Sequence, residues 1–192
     1  MNKIDLNALR DRAYKIACNH GFHDKELSNE HCLMLVITEL SEAVEADRKG
    51  KHFDFLNNDF DHYCRMIDKN GFNKAFEECV KDTVSDELAD AAIRLLDLAA
   101  LRNIDLEMDI KYLDNWINAT AESCKNKTFT ESIYNISSIP ARANVLLFKD
   151  YLRSMLFAIF GLSKHLDIAL LWHIEQKMKY NELREKMHGK KY

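Results

Sequence analysis

The chain is predicted to fold as an all-α helical bundle. With one proline and five glycines in 192 residues it has little turn punctuation, and it is rich in helix formers. No stretch alternates apolar and polar residues with the period of two that a half-buried strand requires. The long apolar segments have helical length and spacing, so a bundle of connected helices follows.

The first helix is expected over about Leu6–Cys18, with Leu6, Leu9, Ala13, Ile16 and Ala17 on one face. Asn19-His20-Gly21-Phe22-His23 breaks it. A second helix starts at Ser28 or Asn29, either of which caps it, and ends at Arg48-Lys49-Gly50, a cationic last turn followed by glycine. Residues 51–81 are polar and aromatic and read as short helices on a mobile or lid-like segment interrupted at Gly71. A long helix opens at Asp82 or Thr83, where Thr83 and Asp86 have capping-box spacing, and continues through Leu101. Further helices are expected from about Asp105 to Cys124, from Ala141 to Lys164 with Pro140 opening the helix, and from Asp167 to Met187. Residues 125–130 read as a polar loop. A weak internal echo aligns Ala99–Leu106 with Gly161–Ile168 at an offset of 62, which places Lys149 and Leu152 where the first copy has Glu87 and Asp90.

An apolar share of 47% with 30% charged residues belongs to an ordinary globular protein, read as one domain over residues 1–192. The net charge of −4 argues against a nucleic-acid binder. Cys18, Cys32, Cys64, Cys79 and Cys124 are scattered, form no CxxC pair and read mostly as reduced core residues. The N-terminus does not resemble a signal peptide, and the longest apolar stretch, near Met155–Leu162, is too short for a bilayer. A cytoplasmic protein without membrane contact is expected.

The chemistry is concentrated in two acidic tetrads, Glu39-Leu40-Ser41-Glu42 and Glu87-Leu88-Ala89-Asp90, each inside an apolar helical stretch. An unpaired carboxylate there costs several kcal/mol unless it is protonated, paired or bound to a cation, on the order of magnitude known for buried charges. The i,i+3 spacing puts both acids of a tetrad on one face, and two such faces make a hard-cation site suited to Mg²⁺. Glu45 extends the first face as a further ligand or a general base, or simply marks where the helix emerges into solvent. Asp97 shares the face of Asp90. The alternative partner for Asp90 is Arg94, four residues on in the same helix.

Lys177, Asn181 and Arg184 share one face of the last helix and offer two cations and an amide, suited to phosphate oxygens; a basic helix end complementing the helix dipole is the plainer reading. His188 to Tyr192 add groups that close over a ligand or remain uninvolved. His20, Phe22, His23 and His31 cluster at the first helix junction, either to stack on and hydrogen-bond a base and sugar or to pack the turn.

Three segments, Glu39–Lys51, Lys81–Ala99 and Trp172–Tyr192, resemble the all-α nucleotide pyrophosphohydrolases, the MazG-like proteins and dimeric dUTPases. The resemblance implies a four-helix core with a helical insertion at about 107–165. It implies Glu39, Glu42, Glu87 and Asp90 as Mg²⁺ ligands, with Mn²⁺ as a substitute, and Lys177, Asn181 and Arg184 as phosphate contacts. The expected activity is hydrolysis of a (deoxy)nucleoside triphosphate to monophosphate and pyrophosphate by a homo-oligomer (dimer or tetramer), with Glu42 or Glu45 as general base. The long gap between the tetrads and the insertion depart from the family pattern. The rival is a non-catalytic helical interaction module whose acids are structural ion pairs. A di-iron bundle would need Glu-x-x-His pairs on core helices, and Glu185–His188 in the charged tail is the one such pair.

Overall fold

A computed structural model of the chain describes residues 5–55, 58–142 and 147–189, and these are helical throughout, without strands. Helix α1 (Leu6–Asn19) starts on Asp5, whose carboxylate accepts from the Ala8 N–H. Helix α2 (Asn29–Arg48) starts on Ser28, whose hydroxyl accepts from His31 N–H, and ends before Gly50, which adopts a positive φ of 65°. Helices α3 (Asp59–Asn70) and α4 (Phe72–Cys79) are separated by Gly71 at φ 82°. Helix α5 (Val84–Leu101) is capped by the Thr83 hydroxyl, which accepts from Asp86 N–H. The Asp86 carboxylate completes only half of a capping box, because it reaches the N–H of Asp82 instead of Thr83.

Helix α5 is the central element. It packs most extensively on α2 and also against α1 and two later helices, Phe148–His165 and Leu170–Glu182. Its Leu88, Ala89, Ala91, Ala92, Leu95, Leu96, Leu98 and Ala99 are all buried. Alanines at Ala89, Ala91, Ala92 and Ala99 let neighbouring helices approach closely, while the leucines fill the space between them.

The segment between the tetrad helices is not a lid. Phe53, Tyr63, Ala75, Phe76, Val80 and Tyr180 form a second buried cluster. Trp172 stacks on Phe53 with centroids 5.3 Å apart, and Phe76 stacks on Tyr180 at 4.5 Å. The aromatic residues of the segment that reads as mobile or lid-like instead tie α3 and α4 to α10 (Leu170–Glu182).

The segment expected to be an insertion begins with α6 (Ile110–Cys124), opening at Asp109 rather than at Asp105. The polar loop is shorter than expected. Thr128 and Glu131 form a full capping box that starts α7 (Phe129–Ser137). Pro140 does not open the long helix; it sits at the second position of the four-residue helix α8 (Ile139–Arg142), where its missing N–H costs nothing. The long helix α9 (Phe148–His165) follows and packs on α6 and α5. Gly161 makes the α6–α9 contact, since a Cβ there would lie 2.4 Å from Thr120 Cβ.

The internal echo is real at the level of helix ends, but its offset is 64. Helices α5 and α9 each span 18 residues. Each is followed by a left-handed residue, Asn103 at φ 51° and Asp167 at φ 56°. Each then has an isoleucine N–H returning to the helix, Ile104 to Ala99 and Ile168 to Ser163. In this register Tyr151 and Ser154 take the places of Glu87 and Asp90. Helix α9 with its C-terminal turn therefore echoes α5 without the acids Glu87 and Asp90.

All five cysteines are free, but only Cys124 is buried; Cys18 and Cys64 are exposed. No single helix among the described residues is long and apolar enough to cross a membrane.

His173 lies buried against Phe53, Phe55 and Trp172, and neither ring nitrogen has a partner. Burial pushes its pKa down to about 3. The unfolded chain takes up a proton near pH 6.5 that the folded protein refuses until about pH 3. Stability from a neutral His173 is therefore present above that window and lost as pH falls through it, at about 1.4 kcal/mol per pH unit. Denaturation of wild type and His173→Phe between pH 4 and 7 checks this: the difference between the two stabilities should shrink as pH rises toward 6.5, and a pH-independent difference contradicts it.

Candidate metal centre and adjoining cleft

The seam between α2 and α5 carries the acids. The side chains of Glu39 and Glu42, one helical turn apart on α2, converge with Glu87 from the first turn of α5, and their ligand oxygens lie within 4.8 Å of one another. Glu39 and Glu87 are buried and Glu42 is exposed. At roughly 2.1 Å per ligand, oxygens sharing one Mg²⁺ lie about 3–4 Å apart, so the three carboxylates would have to draw closer to hold such an ion together. The all-oxygen donor set suits Mg²⁺ or Mn²⁺, so the residues fit the expected cation.

Asp90 is not part of this trio. Its Oδ2 accepts from Lys177 Nζ at 2.8 Å, and the same ammonium donates to Asp86 Oδ2 at 2.7 Å. Asp86, one turn before Asp90 on the same face, is fully buried. Its role as a helix cap hides its second role in the sequence; the missed signal is the i,i+4 pair of acids facing a lysine. Arg94 pairs with Glu39 across the helix boundary at 2.5 Å and not with Asp90 along its own helix. The arginine can reach because α2 and α5 pack closely through Leu40, Ala43, Ala91 and Leu95, all fully buried.

The charges do not balance. Five carboxylates (Glu39, Glu42, Asp86, Glu87 and Asp90) face two cations, Lys177 and Arg94. Glu87 has no ion pair among the described residues. Burial, then the negative charge of Asp90 and Asp86, pushes its pKa up to about 9. Burial and Asp90 also raise Glu39 against the pull of Arg94. Burial works against the Lys177 ammonium, but Asp90 and Asp86 outweigh it and hold this lysine above its usual range. Asp86 is pushed by burial to about 6, still ionised at neutral pH, so the ion pair with Lys177 stays intact.

A cleft of about 100 Å³ adjoins this centre. Its lining includes Asp90, Arg94, Asp97, Asn181 and Arg184 together with Phe22, His23, Leu27 and Cys32. Of the three residues expected at phosphate, Asn181 and Arg184 reach the cleft, whereas Lys177 lies behind it, 5% exposed and engaged by acids. The Oδ1 of Asn181 is buried without a partner.

Of the histidines, His23 lines the cleft; its Nε2 lies 2.7 Å from Asp97 Oδ1, its ring stacks on Tyr14 at 5.0 Å, and its Nδ1 is buried without a partner. The Asp97 carboxylate only accepts, so it takes the Nε2 proton and fixes the ring orientation. His20 serves the fold: its ring nitrogens face the carbonyl oxygens of Ile16 and Arg184 at 2.8 and 3.0 Å. His31 contributes its N–H to the start of α2. Glu45 is exposed and pairs with Arg48 and Lys49, both at 3.1 Å, so of the two expected bases Glu42 is the one at the centre. The turn Lys186–Gly189 runs against the α1–α2 junction, with Met187 N–H donating to His20 O and Lys186 paired to Asp24. Lys190, Lys191 and Tyr192, expected to close over a ligand or remain uninvolved, lie outside the described residues.

Without a divalent ion, folded Glu87 keeps a proton that the unfolded chain releases near pH 4.5. Stability is therefore expected to fall as pH rises from about 4.5 to about 9, by at most about 1.4 kcal/mol per pH unit. Glu87→Gln should remove that slope and raise the metal-free melting temperature at pH 8 by about 2–4 °C for each kcal/mol recovered. Thermal melts in a chelator decide the point, and a lower melting temperature for the variant contradicts it.

Compared with known proteins, the chain matches no family model, no curated protein and no solved structure.

Proposed function

We propose that this chain is a Mg²⁺-dependent nucleoside triphosphate pyrophosphohydrolase of the all-α, MazG-like kind, releasing a nucleoside monophosphate and pyrophosphate. The observation that carries the reading is the convergence of three glutamate side chains on the α2–α5 seam, one of which, Glu87, is buried with no cation of the protein's own. In the metal-free protein Glu87 keeps a proton, and a divalent ion would take that proton's place; a purely structural ion-pair network has no need of a third converging acid without a partner.

Glu39, Glu42 and Glu87 would hold the ion, which supplies neutralisation of the triphosphate and a more acidic bound water. The remaining roles belong to side chains. Glu42, exposed beside the centre, accepts the proton of the attacking water. Arg184 and Asn181 hold phosphate oxygens at the cleft wall, where positioning and charge stabilisation do most of the work in phosphoryl-type chemistry. Phe22 and His23, which also line the cleft, receive the nucleoside.

The rival reading, a structural module, draws on the fact that Arg94 and Lys177 already engage Glu39, Asp86 and Asp90. It leaves Glu87 unexplained, and it predicts no stabilisation by Mg²⁺, whereas a ligand bound only by the folded state raises the melting temperature.

The test is pyrophosphate release from a panel of deoxynucleoside and ribonucleoside triphosphates with Mg²⁺. Wild type should release pyrophosphate and not orthophosphate, and Glu42→Gln should lose about 10²–10⁴-fold in kcat with its fold intact. Absence of turnover on every triphosphate, or full activity in Glu42→Gln, sinks the assignment.

A further inference from the structure

Lys177 occupies an unusual place for a residue expected to bind phosphate. It is almost completely buried, and its ammonium bridges Asp86 and Asp90 at 2.7 and 2.8 Å. It also sits over the Phe76 ring, 5.6 Å from the centroid. Helix α10 fixes this position: Met178 and Ile174 are buried in the main core and Tyr180 packs on Phe76, so the lysine is directed into the α5 surface. The result is a tethered cation on the carboxylate of Asp90, directly beside the converging Glu39, Glu42 and Glu87.

Two details make the arrangement exchangeable. A lysine ammonium is a compact point charge with three rotatable donors, so moving it between oxygens costs little geometric specificity. The Oδ1 of Asp86 is buried with no partner, so a second acceptor is available to the ammonium when Asp90 leaves it. A divalent ion at the glutamate trio attracts Asp90 and repels the ammonium, which pulls the pair apart from both ends.

We propose that Lys177 is an internal competitor for the divalent ion, holding Asp90 in the metal-free protein and surrendering it as the ion binds. This rests on the reading of the α2–α5 seam as a divalent-cation centre. Asp90 then becomes the fourth carboxylate of the centre, and Lys177 moves its charge to Asp86 and to phosphate oxygens at the cleft. Nucleotide and metal binding are coupled through this one side chain, because phosphate offers the lysine an alternative partner.

The experiment is titration of the full-length protein with Mn²⁺ alone, following free Mn²⁺ by electron paramagnetic resonance. Lys177→Gln should bind Mn²⁺ about tenfold more tightly than wild type, equivalent to about 1.4 kcal/mol. Lys177→Arg, which keeps the cation, should stay near the wild-type affinity. Lys179→Gln, which removes an exposed charge two residues away, should do the same. Equal affinity in wild type and Lys177→Gln, or an equal gain in Lys179→Gln, overturns the competition while leaving the metal centre standing. Failure of every protein to bind Mn²⁺ overturns both. Should Lys177→Gln fail to fold, wild type still decides: with ¹⁵N-labelled lysine, the Lys177 ammonium resonance should shift on adding Mg²⁺ without nucleotide, and an unmoved resonance at saturating Mg²⁺ overturns the proposal.

Discussion

Five carboxylates gathered on the seam between α2 and α5, with only Lys177 and Arg94 to offset them, set the terms for the rest of this structure. Taking such charges out of water costs more than most other interactions in a domain of this size contribute, so every neighbouring element is arranged around them. Helix α10 must cross α5 at the height of Asp86 and Asp90 for its lysine to reach both. Helices α2 and α5 must approach closely for Arg94 to cover Glu39, and Leu40, Ala43, Ala91 and Leu95 are fully buried beside this pair. Glu39, Glu42 and Glu87 converge where that offset is incomplete, and it is this convergence that the proposed cation would occupy.

The second aromatic cluster has a supporting role in this arrangement. Phe53, Trp172 and Phe76 hold the long connection between the tetrad helices against α10, so the connection steadies the helix that carries Lys177 and Asn181. Helix α9 packs on α5 and α6, and at the offset of 64 it carries Tyr151 and Ser154 in place of Glu87 and Asp90, so it covers α5 without adding acids at those positions.

Much of this was legible in the chain itself, and the reasons for the misses are physical. Ser28 and Thr83 cap the two tetrad helices where local hydrogen bonding dictates, so α2 and α5 could be placed from local signals alone. Pro140 misled because proline is equally at home in the first turn of a long helix and of a four-residue one. Thr128 with Glu131 was the better signal, a complete capping box that starts α7. At the site, the convergence of Glu39, Glu42 and Glu87 followed the spacing, but the partners of the acids did not. Arg94 could be assigned to Asp90 by helical spacing, yet it chose Glu39 on another helix, and Asp97 chose His23 from the α1–α2 junction. Such choices depend on which helices touch, which spacing within one helix cannot report. Asp86 was hidden by its cap role, and only the position of Lys177 reveals it as part of the charged centre.

The most direct measurement is diffraction from crystals of the protein soaked in Mn²⁺, recorded at the manganese absorption edge. The account predicts an anomalous peak on the α2–α5 seam, within coordination distance of Glu39, Glu42 and Glu87. A seam with no peak at saturating Mn²⁺, or manganese bound only elsewhere on the molecule, would contradict it.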